Sequence, residues 1–307
     1  MAKIFIDGGA GTTGLNIKER LSNMSGIELI TLPEELRKDE SARKDAMNSS
    51  DVVFLCLPDD AARQAVTLIE NKITAVIDAS TAHRVNPAWE YGFPELYGRR
   101  DKIKSSKRIA NPGCHASGFI ALIEPLVRNN LIKKRANLSC FSLTGYTGGG
   151  KGMIKEYENA DRDPLLDSPR QYGLNQNHKH LPEMKGISGI KGEIAFCPVV
   201  APFPRGMEVT VPLFKKDLRC TEKDIREIYT AYYRTPIVTY NENASENGFL
   251  ATNKFAGKDG MEISVFGKSD VITLVARYDN LGKGACGAAI QNMNVLLGKE
   301  ETNGLIL

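Results

Sequence analysis

The chain has 307 residues, of which 42% are hydrophobic, 25% charged and 7% aromatic; this length favours two domains with a core each, and the composition excludes a disordered chain. Forty Lys and Arg stand against 37 Asp and Glu, a net charge of +3, and the basic residues are scattered, which argues against a nucleic-acid partner. No apolar run approaches the roughly 20 residues that cross a bilayer, and Met1-Ala2-Lys3 leads straight into a strand without a signal-peptide pattern.

The first hundred residues alternate short apolar runs (3–7, 27–32, 52–57, 75–78) with amphipathic stretches (14–24, 61–69). Uninterrupted Val, Ile, Leu and Phe in runs of this size predicts strands buried on both faces, hence a parallel sheet covered by helices. The fold class expected is therefore α/β, with a Rossmann-type doubly wound sheet first. After residue 113 the texture changes. A helix over 114–129 precedes longer β-type segments at 137–143, 193–200, 207–214, 261–266 and 271–278, with a helix at 222–233, which reads as an α+β domain. The Gly-rich polar stretch 145–177 exceeds an ordinary connector and is expected to be an active-site or oligomer-contact loop. A Gly/Ala-rich helix over 284–297 is expected to pack back on the first domain. The boundaries are thus 1–113 plus 284–307 for a dinucleotide-binding domain and 114–283 for a catalytic and oligomerisation domain.

Between the first strand and first helix lies Gly8-Gly9-Ala10-Gly11-Thr12-Thr13-Gly14. Glycines at 8, 11 and 14 permit a tight turn, close approach of backbone to a pyrophosphate, and close helix-strand packing; Thr12 and Thr13 open the helix whose N–H groups would meet the phosphates. The second strand ends Thr31-Leu32 without an acid, and Arg37 and Lys38 follow, which favours NADP (NADPH) over NAD, with Arg37 toward the 2′-phosphate. Glu34 and Glu35 are the evidence on the NAD side, unless, following Pro33, they simply begin a helical turn.

The second motif is Asn111-Pro112-Gly113-Cys114-His115-Ala116-Ser117-Gly118. It places Cys114 at the start of an apolar helix, where free N–H groups and the macrodipole stabilise a thiolate. The other cysteines, at 56, 140, 197, 220 and 286, form no CxxC pair; the absence of a disulfide or zinc pattern suits free thiols in a reducing cytoplasm and no metal.

Together these motifs resemble the N-acetyl-γ-glutamyl-phosphate reductases of arginine biosynthesis, in their shorter sequence type, within the group that includes the aspartate-semialdehyde dehydrogenases. The resemblance spans the chain and returns at Ser80-Thr81-Ala82-His83-Arg84, at His178-Lys179-His180-Leu181-Pro182-Glu183 and at Asn280-Leu281-Gly282-Lys283-Gly284. One position departs from it: the aromatic that usually follows the cysteine is His115 here, with Ser117 in place of Thr.

The resemblance implies reduction of an acyl phosphate to an aldehyde, with Cys114 as nucleophile, a thioester intermediate and NADPH as hydride donor. One of His178 and His180, side by side if the segment is extended, is then the acid/base; His115 orients or caps, and His83 is structural. An acyl phosphate substrate bearing a carboxylate calls for cations, for which Arg84, Lys151 and Arg205 are the candidates. Asn280 is placed at the nicotinamide carboxamide and Lys283 at a phosphate. The resemblance also implies a homo-oligomer, a dimer or tetramer. Two other readings are a semialdehyde dehydrogenase acting on aspartyl or aminoadipyl phosphate, and a non-catalytic dinucleotide-binding redox sensor.

Overall fold

The computed structural model describes every residue except Ser269. Its residues form two compact units: Met1–Pro94 with Gly98–Pro112 and Ala285–Leu305, and Gly113–Gly284 with Glu95–Tyr97 and Ile306–Leu307.

The first unit runs β1 (Ala2–Asp7), α1 (Thr12–Ser22), β2 (Ile27–Ile30), α2 (Glu40–Asn48), β3 (Val52–Leu55), α3 (Asp59–Thr67), β4 (Ala75–Asp78), β5 (Glu90–Tyr91), α4 (Arg99–Ser105) and β6 (Arg108–Ala110). Among the described residues its strands form one parallel sheet ordered β2-β1-β3-β4-β6-β5. Every residue of β3 and β4 is buried, because the sheet is covered on both faces. On one face Ile4, Phe54 and Ile77 pack with Ile17 and Leu21 of α1, Ile103 of α4, and Ala289, Ile290 and Met293 from the last helix of the chain. On the other, Phe5, Val53 and Val76 pack with Ala46 and Met47 of α2 and Ala62 and Ala65 of α3. The doubly wound sheet and the return of the carboxyl-terminal helix to this unit are thus as the hydrophobic pattern predicts. The polar helices α2 and α4 escape that pattern, since α4 buries only Ile103.

The second unit runs α5 (Cys114–Arg128), β7 (Leu138–Gly145), α6 (Gly150–Glu158), β8 (Arg170–Gln171), α7 (Leu181–Ser188), β9 (Ile194–Ala201), β10 (Met207–Phe214), α8 (Glu222–Tyr232), β11 (Val238–Tyr240), β12 (Met261–Lys268) and β13 (Val271–Tyr278). Among the described residues these strands make a mixed sheet ordered β11-β12-β13-β10-β7-β9-β8. Burial alternates along β7, β9 and β10, so one face carries α5, α7 and α8 and the other holds half-exposed residues such as Leu143 and Val199 beside Phe141. The stretch 145–177, expected as one loop, contains helix α6 and its own small core of Tyr157, Leu166 and Val200 with Tyr146, Met153 and Tyr172. A π-helical turn, Gly282–Cys286, precedes α9 (Gly287–Leu296). Among the described residues no helix is long and apolar enough to cross a membrane.

Candidate functional site

The dinucleotide motif occupies the turn from β1 to α1. β1 pairs with β2 on one side and β3 on the other, so the turn leaves the carboxyl end of the strand where the winding reverses, the usual ligand position of such sheets. Gly8 has φ of +82°, and a Cβ there would lie 2.3 Å from the Cys56 carbonyl oxygen; at Gly14 it would lie 2.7 Å from the Gly8 oxygen. Both positions therefore demand glycine. Gly11, whose N–H donates to the Gly8 carbonyl, caps α1 without any side-chain hydrogen bond. The first-turn N–H groups, including those of half-buried Thr12 and Thr13, thus receive no side-chain cap from Gly11, and the cradle fits a dinucleotide pyrophosphate.

Beyond β2, Glu34–Leu36 form a 3-10 turn after Pro33, as read from the sequence. Arg37 caps it and pairs with Glu34 on the exposed surface. A second arginine was missed: Arg43 on α2 grips buried Asp7 at the end of β1, with Nη2 2.7 Å and Nε 3.2 Å from its oxygens. At the end of β4, Asp78 accepts the Ser80 hydroxyl and His83 Nδ1, and His83 stacks on Trp89 at 4.1 Å between centroids, a structural role. Arg84 is buried, its Nε donating to the Asn111 carbonyl and its Nη2 to the Ala79 carbonyl, both at 3.0 Å.

In the second unit Cys114 is the first residue of α5, after Gly113 and without a side-chain cap. The Gly113 N–H donates to buried Glu183 at 2.8 Å, and Ser117 Oγ returns to the Gly113 carbonyl. A Cβ on Gly284 would lie 3.1 Å from the Cys114 Cβ, so the π-helical turn backs the cysteine closely. Burial pushes the thiols of Cys56 and Cys140 up, which keeps them protonated and unreactive at neutral pH.

Three histidines converge in this unit. The 178–180 segment is a turn and not extended, because His180 caps α7 with helical φ and ψ; the turn nevertheless leaves the His178 and His180 rings 4.9 Å apart. His115 lies 5.8 Å from His178 and 5.5 Å from His180 between ring centroids, a convergence of α5 with the turn before α7 that spacing does not reveal. His115 bridges Ser142 Oγ at Nδ1 and the Tyr172 hydroxyl at Nε2, each at 2.7 Å, and burial drives its pKa down to about 3. It is a neutral linker at physiological pH. Burial, with Cys114 nearby, holds the Tyr172 hydroxyl protonated. His178 is also shifted down, by burial and then by Lys179, and its Nδ1 accepts the His180 backbone N–H at 3.2 Å. Among the described residues no group of three or more His, Cys, Asp or Glu is arranged to hold a metal ion.

The remaining candidates fall into two kinds. Arg205 is partly exposed and ion-paired with buried Asp279, its Nη2 donating at 3.0 Å and its Nε lying 2.8 Å from the other oxygen. Asp279, unremarked in the sequence, also accepts the N–H groups of Gly257, Leu281 and Gly282. Lys151 is exposed in the first turn of α6. Asn280 and Lys283, by contrast, are engaged within the unit. Asn280 accepts the Gly206 N–H at 3.0 Å and donates to Thr147 Oγ1 at 2.9 Å, while the buried Lys283 ammonium sits 2.9 and 2.8 Å from the two oxygens of Glu95.

Residues 28–106 match the family profile "Semialdehyde dehydrogenase, NAD binding domain", and residues 114–280 match "Semialdehyde dehydrogenase, dimerisation domain". Proteins from Brucella ovis and Brucella canis named N-acetyl-gamma-glutamyl-phosphate reductase are each 43% identical to this chain, covering 97% of it and 99% of their own length. The chain belongs to the N-acetyl-γ-glutamyl-phosphate reductase family. This family of oxidoreductases shares its fold with aspartate semialdehyde dehydrogenases. The enzyme from Francisella tularensis superposes with a TM-score of 0.71 at 16% identity, over 97% of this chain and 100% of that one. The Candida albicans enzyme, solved with NADP, gives 0.70 at 17% over 97% and 98%.

Proposed function

We propose that the chain reduces N-acetyl-γ-glutamyl phosphate to N-acetylglutamate semialdehyde with release of phosphate, using NADPH and a thioester on Cys114. The observation that carries this is the position of Cys114, opening α5 without a side-chain cap in the unit that gathers His115, His178 and His180, in a chain that matches curated reductases end to end. The helix N-terminus favours the thiolate, which attacks the acyl carbon; the bond to the phosphate oxygen breaks and phosphate leaves with the electron pair. The nicotinamide, when bound, supplies the hydride that takes the thioester carbon to the aldehyde level. A proton is delivered to the substrate oxygen and withdrawn again as the carbon–sulfur bond breaks and the thiolate returns.

We assign that proton to His180. Both ring nitrogens of His115 are engaged and burial keeps it neutral. Protonating His178 Nδ1 would set it against the His180 N–H it accepts, which fits its lowered pKa. Arg205 and Lys151 are the substrate cations in this reading: Arg205 is oriented by Asp279 through Nε and Nη2, which leaves its remaining guanidinium N–H groups to meet a carboxylate or phosphate. Arg84, Asn280 and Lys283 take positioning roles, their polar groups being used on protein partners. In the first unit Gly8, Gly11, Thr12, Thr13 and Gly14 cradle the pyrophosphate. Preference for NADPH rests on the acid-free end of β2 and on Arg37, which would exchange Glu34 for the 2′-phosphate. A thiolate nucleophile suits a reducing compartment, and we place the enzyme in the cytoplasm. Association into a homo-oligomer, through the half-exposed face of the second unit's sheet, accords with the family's dimerisation domain.

The test is the reverse reaction, with N-acetylglutamate semialdehyde, phosphate and NADP. Wild type should produce NADPH, whereas Cys114→Ser should lose nearly all turnover while still binding NADP, since an alcohol without comparable activation is a poor nucleophile. Full activity of Cys114→Ser would end the thioester mechanism. Turnover with aspartate semialdehyde alone would move the substrate assignment to the other branch of the group, and no turnover with either aldehyde would leave the sensor reading.

A further inference from the structure

We propose that Tyr278 is a positioning residue for the nucleophile, its hydroxyl taking a place in the first-turn hydrogen-bond ladder of α5 and so fixing the backbone that carries Cys114. This rests on the reading of Cys114 as nucleophile. Tyr278 ends β13 on the helix-bearing face of the sheet and is fully buried. Its hydroxyl accepts the Gly118 N–H at 3.0 Å and donates to the Cys114 carbonyl at 2.6 Å. An α-helix pairs the N–H of residue i with the carbonyl of residue i−4, and residues 118 and 114 are such a pair. One phenol thus engages both members of the bond that would otherwise set the conformation of Cys114.

Two further observations accord with this. Gly118 stands inside a helix, where glycine is a poor former, yet a Cβ there would lie 2.7 Å from both the Tyr278 hydroxyl and Val209 Cγ2, and 2.9 Å from the Tyr278 ring edge. The glycine admits the phenol. Burial, with Cys114 nearby, raises the Tyr278 hydroxyl well above its usual range, so it remains a donor throughout the pH range in which a thiolate works. The cysteine is thus held by a hydrogen bond at its carbonyl, with the Gly284 backbone so close that a Cβ on it would lie 3.1 Å from the Cys114 Cβ.

Tyr278→Phe removes the hydroxyl and little volume. The expected result is a fall in kcat of about ten- to a hundredfold, the scale on which small misplacements act, with KM for NADP and aldehyde unchanged. Iodoacetamide labelling of Cys114, followed across pH, should shift to higher pH in the folded variant. Gly118→Ala keeps the hydroxyl but displaces it, and because its Cβ meets Val209 as well, both effects should be at least as large as in Tyr278→Phe. Wild-type kcat and labelling in a folded Tyr278→Phe protein would overturn the proposal, as would failure of both single variants to fold, which would make the hydroxyl a stability element. Neither outcome touches the nucleophile itself, which Cys114→Ser tests independently.

Discussion

His115 follows Cys114 in the chain, 2% exposed, with Ser142 and Tyr172 on its two ring nitrogens. A phenylalanine or tyrosine would fill the space, but only an imidazole ties the Tyr172 loop to β7 through both edges. Its folded pKa of about 3 lies below the ordinary value of 6.5. Because the folded value is depressed, the unfolded chain binds the extra proton between the two. The stabilisation is complete above about pH 6.5 and is lost as pH falls toward 3, at about 1.4 kcal/mol per pH unit. His178 adds to the same trend. His115→Phe should be less stable at pH 7, since it strands two hydroxyls, but its unfolding free energy should fall less steeply between pH 6.5 and 4. Parallel urea-derived profiles for the two proteins would show that His115 does not titrate as inferred. Sequence marked His115 as a departure from its relatives without giving its job, because Ser142 and Tyr172 reach it only through the fold.

Helix α5 contains Pro125, which lacks the N–H that would serve the Ala121 carbonyl. That carbonyl is served by the Tyr233 hydroxyl, and the Leu122 carbonyl beside it by Tyr229. α8 packs on α5 and supplies these donors, from Tyr229 within the helix and Tyr233 at its cap. Tyr233→Phe would leave a buried acceptor unsatisfied, costing about 1–3 kcal/mol, and should lower the urea midpoint without altering cofactor binding. An unchanged midpoint would mean that the Ala121 carbonyl finds another donor. The helix was legible over 114–129 because its apolar residues run nearly without interruption, but the tolerance of Pro125 was not, since the tyrosine lies far along the chain. The same limit hid α6, which opens on glycines and packs into a local cluster around Tyr157. α2 had a readable start: Asp39 accepts the Ala42 N–H as its cap, an Asn/Asp/Ser/Thr signal that precedes many helices.

At the scale of the whole molecule the seven-strand sheet raises a question of cover. Helices α5, α7 and α8 take one face; on the other, Phe141 and Phe214 are 47% and 50% exposed, and Leu143, Cys197, Val199 and Pro212 are half-buried on the same face, interleaved with Ser139, Glu208 and Thr210. Phe141 lies on β7 opposite Thr210 of β10 and Cys197 of β9, well inside the sheet and away from its edges. An antiparallel or mixed sheet can leave one face to water, but that face is then ordinarily polar, and a contiguous apolar patch usually marks an interface. The alternation was present in the sequence, whereas the neighbours of β7 were not, because strand order depends on pairings across long connections. If two copies bury these faces together, Phe141→Asp places a charge inside the interface, a cost of several kcal/mol unless it is neutralised, while in an isolated chain the change falls on a half-exposed site and costs little. Sedimentation at micromolar concentration should therefore move from oligomer toward monomer, with the circular dichroism of the fold retained. A variant that sediments as wild type would show that this face is not where copies of the chain meet.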